Sequence, residues 1–164
     1  YYDGGFRNNL RTGHGKLHLV NGSEYIGEWL DDKKHGAGSL TYASKASCVG
    51  RWQNDKFQGL AVYRYANGDV YEGEYVNGLM SGKGTFTYKN GDKYIGQYLN
   101  DYMEGKGEFY FKNGDSYKGD FKDDMHHGTG CYQYANGDKH EGEYCNDRMH
   151  GYGKFNYANG NCYE

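Results

Sequence analysis

Chemistry in this chain would have to come from a few recurring polar positions. His35, His127 and His150 each stand just before a glycine, at the same place in a repeating unit. A histidine column suggests metal. Ligands of one site lie about 2 Å from the ion, however, whereas equivalent places two strands apart are separated by about 10 Å. The spacing favours a structural role, with each histidine bridging its own loop. Asp69, Asp92, Asp115 and Asp138 follow Asn-Gly dipeptides. Calcium takes six to eight oxygens around one ion, so one aspartate per turn is too sparse, and solvation of turns and strand edges is expected. The paired acids Glu72/Glu74 and Glu141/Glu143 alternate on a face with nothing to desolvate them. A catalytic site needs unlike residues converging at one place, and here like residues stand in rows. No catalytic residue, cofactor or metal is expected, and the chain reads as a non-enzyme.

Cys48, Cys131, Cys145 and Cys162 form no C-x-x-C pair and sit at different places in the unit. In the strand register argued next, Cys131 and Cys145 are four residues out of step, about 13 Å. A disulfide needs Cα atoms within about 7 Å. Free thiols in a reducing compartment are the expectation.

The positioning elements follow from a fixed self-similarity, the mark of a repeat architecture. Seven in-phase copies of 23 residues begin at Tyr2, Tyr25, Cys48, Tyr71, Tyr94, Tyr117 and His140, and a partial eighth opens at Tyr163. The third residue of every copy is glycine, the fifth is a ring, the twelfth is glycine, and the fourteenth is glycine except at Ala61. Two large apolar residues follow, spaced by two, such as Phe86 and Tyr88. Spacing by two places each set on one face of a strand, so each copy is two short strands. Lys89-Asn90-Gly91 suits a three-residue hairpin loop with a left-handed glycine. It sets Phe86 opposite Tyr94, Gly84 opposite Gly96 and Gly82 opposite Tyr98. A longer loop from Val76 to Ser81 sets Tyr71 opposite Phe86, Gly73 opposite Gly84 and Tyr75 opposite Gly82. Three rows result: rings, glycines, and rings alternating with glycines. The glycine row is a trough for neighbouring rings, the device known as aromatic rescue.

The pattern resembles the MORN-repeat family, whose unit reads roughly Tyr-x-Gly-x-Trp/Tyr and then Asn-Gly-Lys-x-His-Gly-x-Gly. Residues 25–38 carry it as YIGEWLDDKKHGAG and residues 140–153 as HEGEYCNDRMHGYG. The resemblance covers residues 2 to 164. It implies an all-β fold, an elongated, rod-like single-layer twisted antiparallel β-sheet of consecutive hairpins, with an aromatic groove and a scaffolding or tethering role. It also implies settings such as cytoskeleton–membrane junctions and cilia, and service as a module of larger enzymes of the lysine methyltransferase or phosphatidylinositol-phosphate kinase type.

Composition agrees. Mean hydropathy is −1.08, so the 20 Tyr, 7 Phe and 2 Trp must supply the core, each burying about 150–250 Å² when covered. Proline is absent, as suits strands that need their ladder bonds. A net charge of −3 without a basic run argues against nucleic acid. No apolar stretch has membrane-spanning length. The chain, residues 1–164, is expected to be one array and a fragment of a longer one. No copy has a polar cap, so either further repeats follow or open ends associate. At one junction Ala43-Ser44-Lys45-Ala46-Ser47 replaces the Asn-Gly turn, and the next copy lacks both its leading tyrosine and a paired glycine. Tolerated drift and a local bend or loosened hairpin around Ser44–Cys48 are both open readings.

Two candidate surfaces emerge. The first is a partner-binding groove lined by Trp29, Tyr42, Trp52, Tyr65, Tyr75, Tyr88, Tyr98, Phe111, Phe121, Tyr134, Tyr144 and Tyr157. Rings of this kind make good anchors for a peptide or helix. The second is an adaptable, Met-rich edge of loop tips carrying Leu10, Phe57, Leu79, Met80, Tyr102, Met103, Met125 and Met149. The expected function is a protein-interaction scaffold, cytoplasmic and associated with cytoskeleton or membrane. A protein partner, a second copy in a homodimer, or membrane phospholipid would be held through these surfaces.

Overall fold

The computed structural model describes residues 1–164. It contains no helix, and its strands follow one another in chain order as neighbours in one antiparallel sheet. The chain divides after Ser81 into two compact units. Residues 1–81 hold β1 (Tyr2–Arg7), β2 (Leu10–His18), β3 (Glu24–Leu30), β4 (Lys33–Thr41), β5 (Ser47–Gln53), β6 (Lys56–Arg64) and β7 (Val70–Val76). The division falls within β8 (Leu79–Thr87). Residues 82–164 hold β9 (Lys93–Leu99), β10 (Tyr102–Tyr110), β11 (Ser116–Lys122), β12 (Met125–Gln133), β13 (Lys139–Cys145), β14 (Arg148–Asn156) and β15 (Cys162–Tyr163).

The Asn-Gly hairpins have the expected register. Gly82 faces Tyr98, Gly84 faces Gly96, and Phe86 faces Tyr94. The loop closes with Tyr88 N donating to Asp92 O at 2.9 Å and Gly91 N to Tyr88 O at 3.0 Å. Gly91 is left-handed, at φ +102°.

The other hairpins differ from expectation. Instead of a six-residue loop, Asn77 and Gly78 alone separate β7 from β8, and both have positive φ, +53° and +87°. Asp31/Asp32 and Asp123/Asp124 do the same. Two consecutive left-handed residues make a type I′ turn, whose twist matches the strands it joins. The residues expected at loop tips are therefore strand residues. A β-bulge then restores the glycine row: Gly27 pairs with Gly38, but Glu28 pairs with His35 and Trp29 with Lys34. The bulge glycine, Gly36, is left-handed at φ +58°. The extra N–H groups of the bulge find a carboxylate, as Ala37 N donates to Glu28 Oε1 at 2.8 Å and Thr129 N to Asp120 Oδ2 at 2.9 Å. Rings consequently face glycine across the hairpins of this kind only, as Tyr98 faces Gly82 and, across the irregular junction of the same register, Trp52 faces Gly36. Across the type I′ turns they face the tenth residue of the copy, as Trp52 faces Phe57 and Tyr98 faces Met103.

The glycine row is filled by the leading tyrosines. Tyr25, Tyr71, Tyr94 and Tyr117 are fully buried. Each lies along its own pair of glycines and hands its hydroxyl proton to a carbonyl three residues on: Tyr25 to Glu28 O at 3.1 Å, Tyr94 to Gln97 O at 3.0 Å, Tyr117 to Asp120 O at 3.0 Å. A Cβ on Gly38 would stand 2.2 Å from the Tyr25 hydroxyl. The fifth-position rings then meet these tyrosines edge to face, Tyr25–Trp29 at 5.1 Å and Tyr117–Phe121 at 5.2 Å, the geometry that aromatic quadrupoles favour.

Aspartates stitch copy to copy along both edges. At the type I′ edge the amides of Arg11, Lys34, Met103 and His126 donate to Asp32, Asp55, Asp124 and Asp147, at 2.7–2.9 Å. At the Asn-Gly edge the amides of Lys112, Ala135 and Ala158 donate to Asp92, Asp115 and Asp138, each at 2.8 Å. Asp92, Asp115 and Asp138, assigned to turn solvation, are thus acceptors in hydrogen bonds between repeats.

The irregular junction is not loosened. Tyr42 N reaches Ala46 O at 2.8 Å and Lys45 N reaches Tyr42 O at 2.9 Å, the same closure as an Asn-Gly loop. Lys45 takes the left-handed place of glycine, at φ +70°. The buried thiol of Cys48 stands where a leading tyrosine would be. Ala61 faces Gly50 in the trough that this ring would have filled.

Candidate functional site

The second unit carries an open cleft of about 500 Å³ on its aromatic face, running across β10 to β14. One wall is a ladder of rings from the Asn-Gly side. Phe109 and Phe111 lie 4.6 Å apart, Phe111 and Tyr132 5.8 Å, and Tyr132 and Tyr134 4.6 Å, and beyond the cleft the ladder continues to Phe155, 5.7 Å from Tyr134. The opposite wall is the tenth-residue column, Met103, His126 and Met149, with Asp124 and Asp147 at its rim and Phe121 and Tyr144 in the floor. Their position follows from the bulge, which turns the tenth residue onto the aromatic face.

His126 stacks on Tyr117 with centroids 3.8 Å apart, and its Nδ1 lies 3.5 Å from Asp147 Oδ1. Burial lowers the His126 pKa, while Asp147 pulls the other way. His140, buried under Tyr144 with Nδ1 2.6 Å from its hydroxyl, is lowered by burial too. A folded pKa below the unfolded value of about 6.5 means that the unfolded chain binds the proton more tightly. Stability contributed by these neutral histidines is present above that pH and is lost as pH falls through and below it. Thermal unfolding is expected at a lower temperature at pH 5 than at pH 7.5, with His126→Met flattening the slope. An unchanged slope in that variant would show His126 is not a contributor.

The tyrosines give no acid–base group near neutrality, since desolvation raises Tyr117, Tyr132, Tyr134 and Tyr144 above their ordinary value. The Nδ1 atoms of His35 and His127 are buried without a hydrogen-bond partner, so the loop-bridging role expected of them is not met there, and His150 is exposed.

The candidate groove residues fall into two sets. Trp29, Trp52, Tyr75, Tyr98, Phe121 and Tyr144 are buried, at no more than 5 % exposure, and form a floor packed on the leading tyrosines. Tyr42, Tyr65, Tyr88, Phe111 and Tyr134 are half-buried and Tyr157 is exposed, so this second set presents surface. Among the residues placed at a loop edge, Phe57, Met80 and Met103 are strand residues buried in the core. Met125 is half-buried, and Leu79, Tyr102 and Met149 are exposed. The correction has one cause: the tight turn moves these positions into strands and the bulge decides their face. His126, Asp124 and Asp147 were not anticipated in the cleft. Their signal was the repeat frame itself, since His126 occupies the place of Met80 and Met103.

In the first two copies the same column is cationic. Arg11 Cζ stands 4.2 Å from the Trp29 ring centroid, and Lys34 Nζ 4.9 Å from that of Trp52. Arg11 is also held by Asp32, through Nε to Oδ1 at 2.9 Å and an N–H to the backbone oxygen at 2.8 Å. These cations cover the tryptophan faces.

No curated protein matches the chain in sequence. Among solved structures, the TCP domain of Drosophila melanogaster SAS-4 (dCPAP), in complex with a proline-rich motif of Ana2 (dSTIL), is similar at TM-score 0.55 and 16% identity, covering 92% of this chain and 82% of that one. The TCP10c domain of Drosophila melanogaster Sas-4 gives 0.51 and 17%, covering 92% and 90%. The TCP10 domain of Danio rerio CPAP gives 0.52 and 11%, covering 92% and 71%. At such identities the likeness is one of fold. The MORN repeat profile matches residues 2–24, 25–47, 48–70, 71–93, 94–116, 117–139 and 140–162. Matched from the first repeat to the last, the chain belongs to the MORN-repeat family.

Proposed function

We propose that this chain is a non-enzymatic protein-interaction scaffold whose partner lies as an extended peptide in the aromatic cleft of the second unit. The carrying observation is the ring ladder from Phe109 to Tyr134, which keeps partly exposed aromatic surface beside a wall holding Met103 and Met149. Large rigid rings bring contact area at low entropic cost, and methionines adapt to what they touch. A peptide partner is further supported by the SAS-4 TCP domain, a similar fold described with a proline-rich motif of another protein. Self-association into a homodimer is a competing use of the same rings, and sedimentation velocity across a wide concentration range separates the two. Phospholipid contact would need a route other than simple electrostatics, given a net charge of −3. Residence at a cytoskeleton–membrane junction, or service as a module beside a catalytic domain, rests on the family alone.

The test is panning of a random peptide display library on the whole chain, followed by the Phe111→Ala/Tyr134→Ala variant. Selected peptides are expected to lose at least about tenfold in affinity, the cost of a lost aromatic anchor pair. If no selected peptide depends on these two rings, the cleft is not the partner site.

A further inference from the structure

The cleft runs across the strands, so its period is the repeat and not the residue. Each copy contributes two strands, and strands lie about 4.8 Å apart, giving about 9.6 Å per copy. Equivalent groups recur at this step along both walls: Phe111 and Tyr134 on the ring ladder, and Asp124 and Asp147 on the rim. A ligand matched to this surface must present the same side-chain direction about every 9.6 Å.

Three regular conformations respond differently to that demand. A β-strand covers the distance in three residues, but alternate residues face opposite sides, so the third points away. An α-helix returns to the same face after seven residues, about 10.5 Å, and drifts by about 1 Å per copy. A polyproline II helix has three residues per turn and rises about 3.1 Å per residue, returning the same face after about 9.3 Å. Only the last stays in step over successive copies. It also suits the chemistry of a sheet face, where the ladder has taken the backbone donors and acceptors, because polyproline II needs no ladder bond. Aromatic-lined grooves are the surfaces on which such helices dock.

The rim adds a charge pattern. Asp124 and Asp147 each spend Oδ1 on the backbone amide of Met103 or His126. Both remain exposed to solvent, and no cationic side chain lines the cleft beside them, His126 being held toward its neutral form by burial.

Resting on the peptide-scaffold reading above, we infer that the cleft takes a proline-rich polyproline II segment in a register of three residues per repeat, with a basic residue in every third position facing Asp124 and Asp147. The rings receive the proline faces and the carboxylates fix the register.

Two synthetic twelve-residue peptides test the register on the whole chain. One is Pro-Pro-Lys repeated four times, and the other has the same eight prolines and four lysines arranged as Pro-Lys repeated four times and then four prolines, so that no two lysines stand three apart. Composition and net charge are identical, and only the period differs. Isothermal titration calorimetry at low salt is expected to show the periodic peptide binding about five- to tenfold more tightly, as two partly exposed ion pairs allow. Amide shifts are expected at Phe111, Tyr134 and Met149. The Asp124→Asn/Asp147→Asn variant keeps the Oδ1 acceptors of the stitches and removes the charge, so it is expected to bind both peptides alike. Equal affinities in the unsubstituted chain, or shifts outside the cleft, overturn the inference. If neither peptide binds while ring-dependent library peptides do, the scaffold reading stands and the polyproline register falls. If the library also yields none, both fall.

Discussion

Gly119→Ala is expected to cost about 3 kcal/mol or more, the upper range for overpacking a closed site, and to lower the melting temperature by well over 10 °C for a unit of about 80 residues. The reason is the closeness of the trough. A Cβ at Gly119 would stand 2.6 Å from Gly130 Cα, 2.6 Å from Thr129 O and 2.6 Å from the Tyr117 hydroxyl. Two of these are backbone atoms and cannot swing aside. The control is Gly59→Ala. There φ is +81° and nothing lies within 4 Å of the added carbon, so only left-handed strain remains, about 1–2 kcal/mol. Circular dichroism melts of the two variants check the difference. Equal losses would show that glycine is needed for backbone freedom alone, and that the buried tyrosine is not what excludes a side chain.

The second large effect is expected at the irregular repeat. Cys48→Tyr alone should destabilise by about 2–3 kcal/mol, because the new ring needs a trough that the Ala61 methyl already fills. A Cβ placed on Gly50 would come within 2.3 Å of Ala61 Cβ, which shows how little space the pair leaves. Ala61→Gly alone should cost about 1 kcal/mol through added chain freedom in a strand. Combined, the two substitutions rebuild the arrangement of Tyr25 over Gly27 and Gly38, and the double variant should be no less stable than the parent. The coupling, about 3–4 kcal/mol, is read from a denaturation double-mutant cycle. Additive losses would mean that alanine and cysteine at this repeat are unrelated departures.

Much of the fold was legible because the repeat shows its parity seven times over. Tyr71, Gly73 and Tyr75 announce a strand, and Lys89-Asn90-Gly91 a three-residue loop with one left-handed glycine, as found. The sites were harder to read. Six residues lie between Tyr75 and Gly82, and counted as spacing they suggest a long loop. The signal for the tighter solution was present in Asp31-Asp32, Asn54-Asp55 and Asp123-Asp124, pairs whose short polar side chains tolerate left-handed backbone. What no spacing rule shows is the bulge, whose twelfth-position glycine shifts parity once and decides which way Met103 and His126 face. Core and edge were exchanged for that reason. The distinction between a buried floor and an open ladder was likewise hidden, since Tyr98 and Tyr134 are the same residue type and differ only in what the trough draws over them.

The stitches between copies have a consequence for how the chain responds to stress. Each aspartate at the type I′ edge binds an amide 21 residues before it, so the coupling is between nearest neighbours and the structure opens and closes as a row of linked segments. Copies need not share the same coupling. In the copy beginning at Tyr71 the stitching place is Gly78, which has no carboxylate to offer. Its own amide still reaches Phe57 O at 2.9 Å, but the bond in the other direction is missing. The preceding copy is also the one without a ring in its trough, since Cys48 opens it. That seam is held by Gly78 N and by Asn77 N donating to Gln58 Oε1 at 3.1 Å, without the carboxylate that its neighbours in the first unit use, so local opening there has a place to begin.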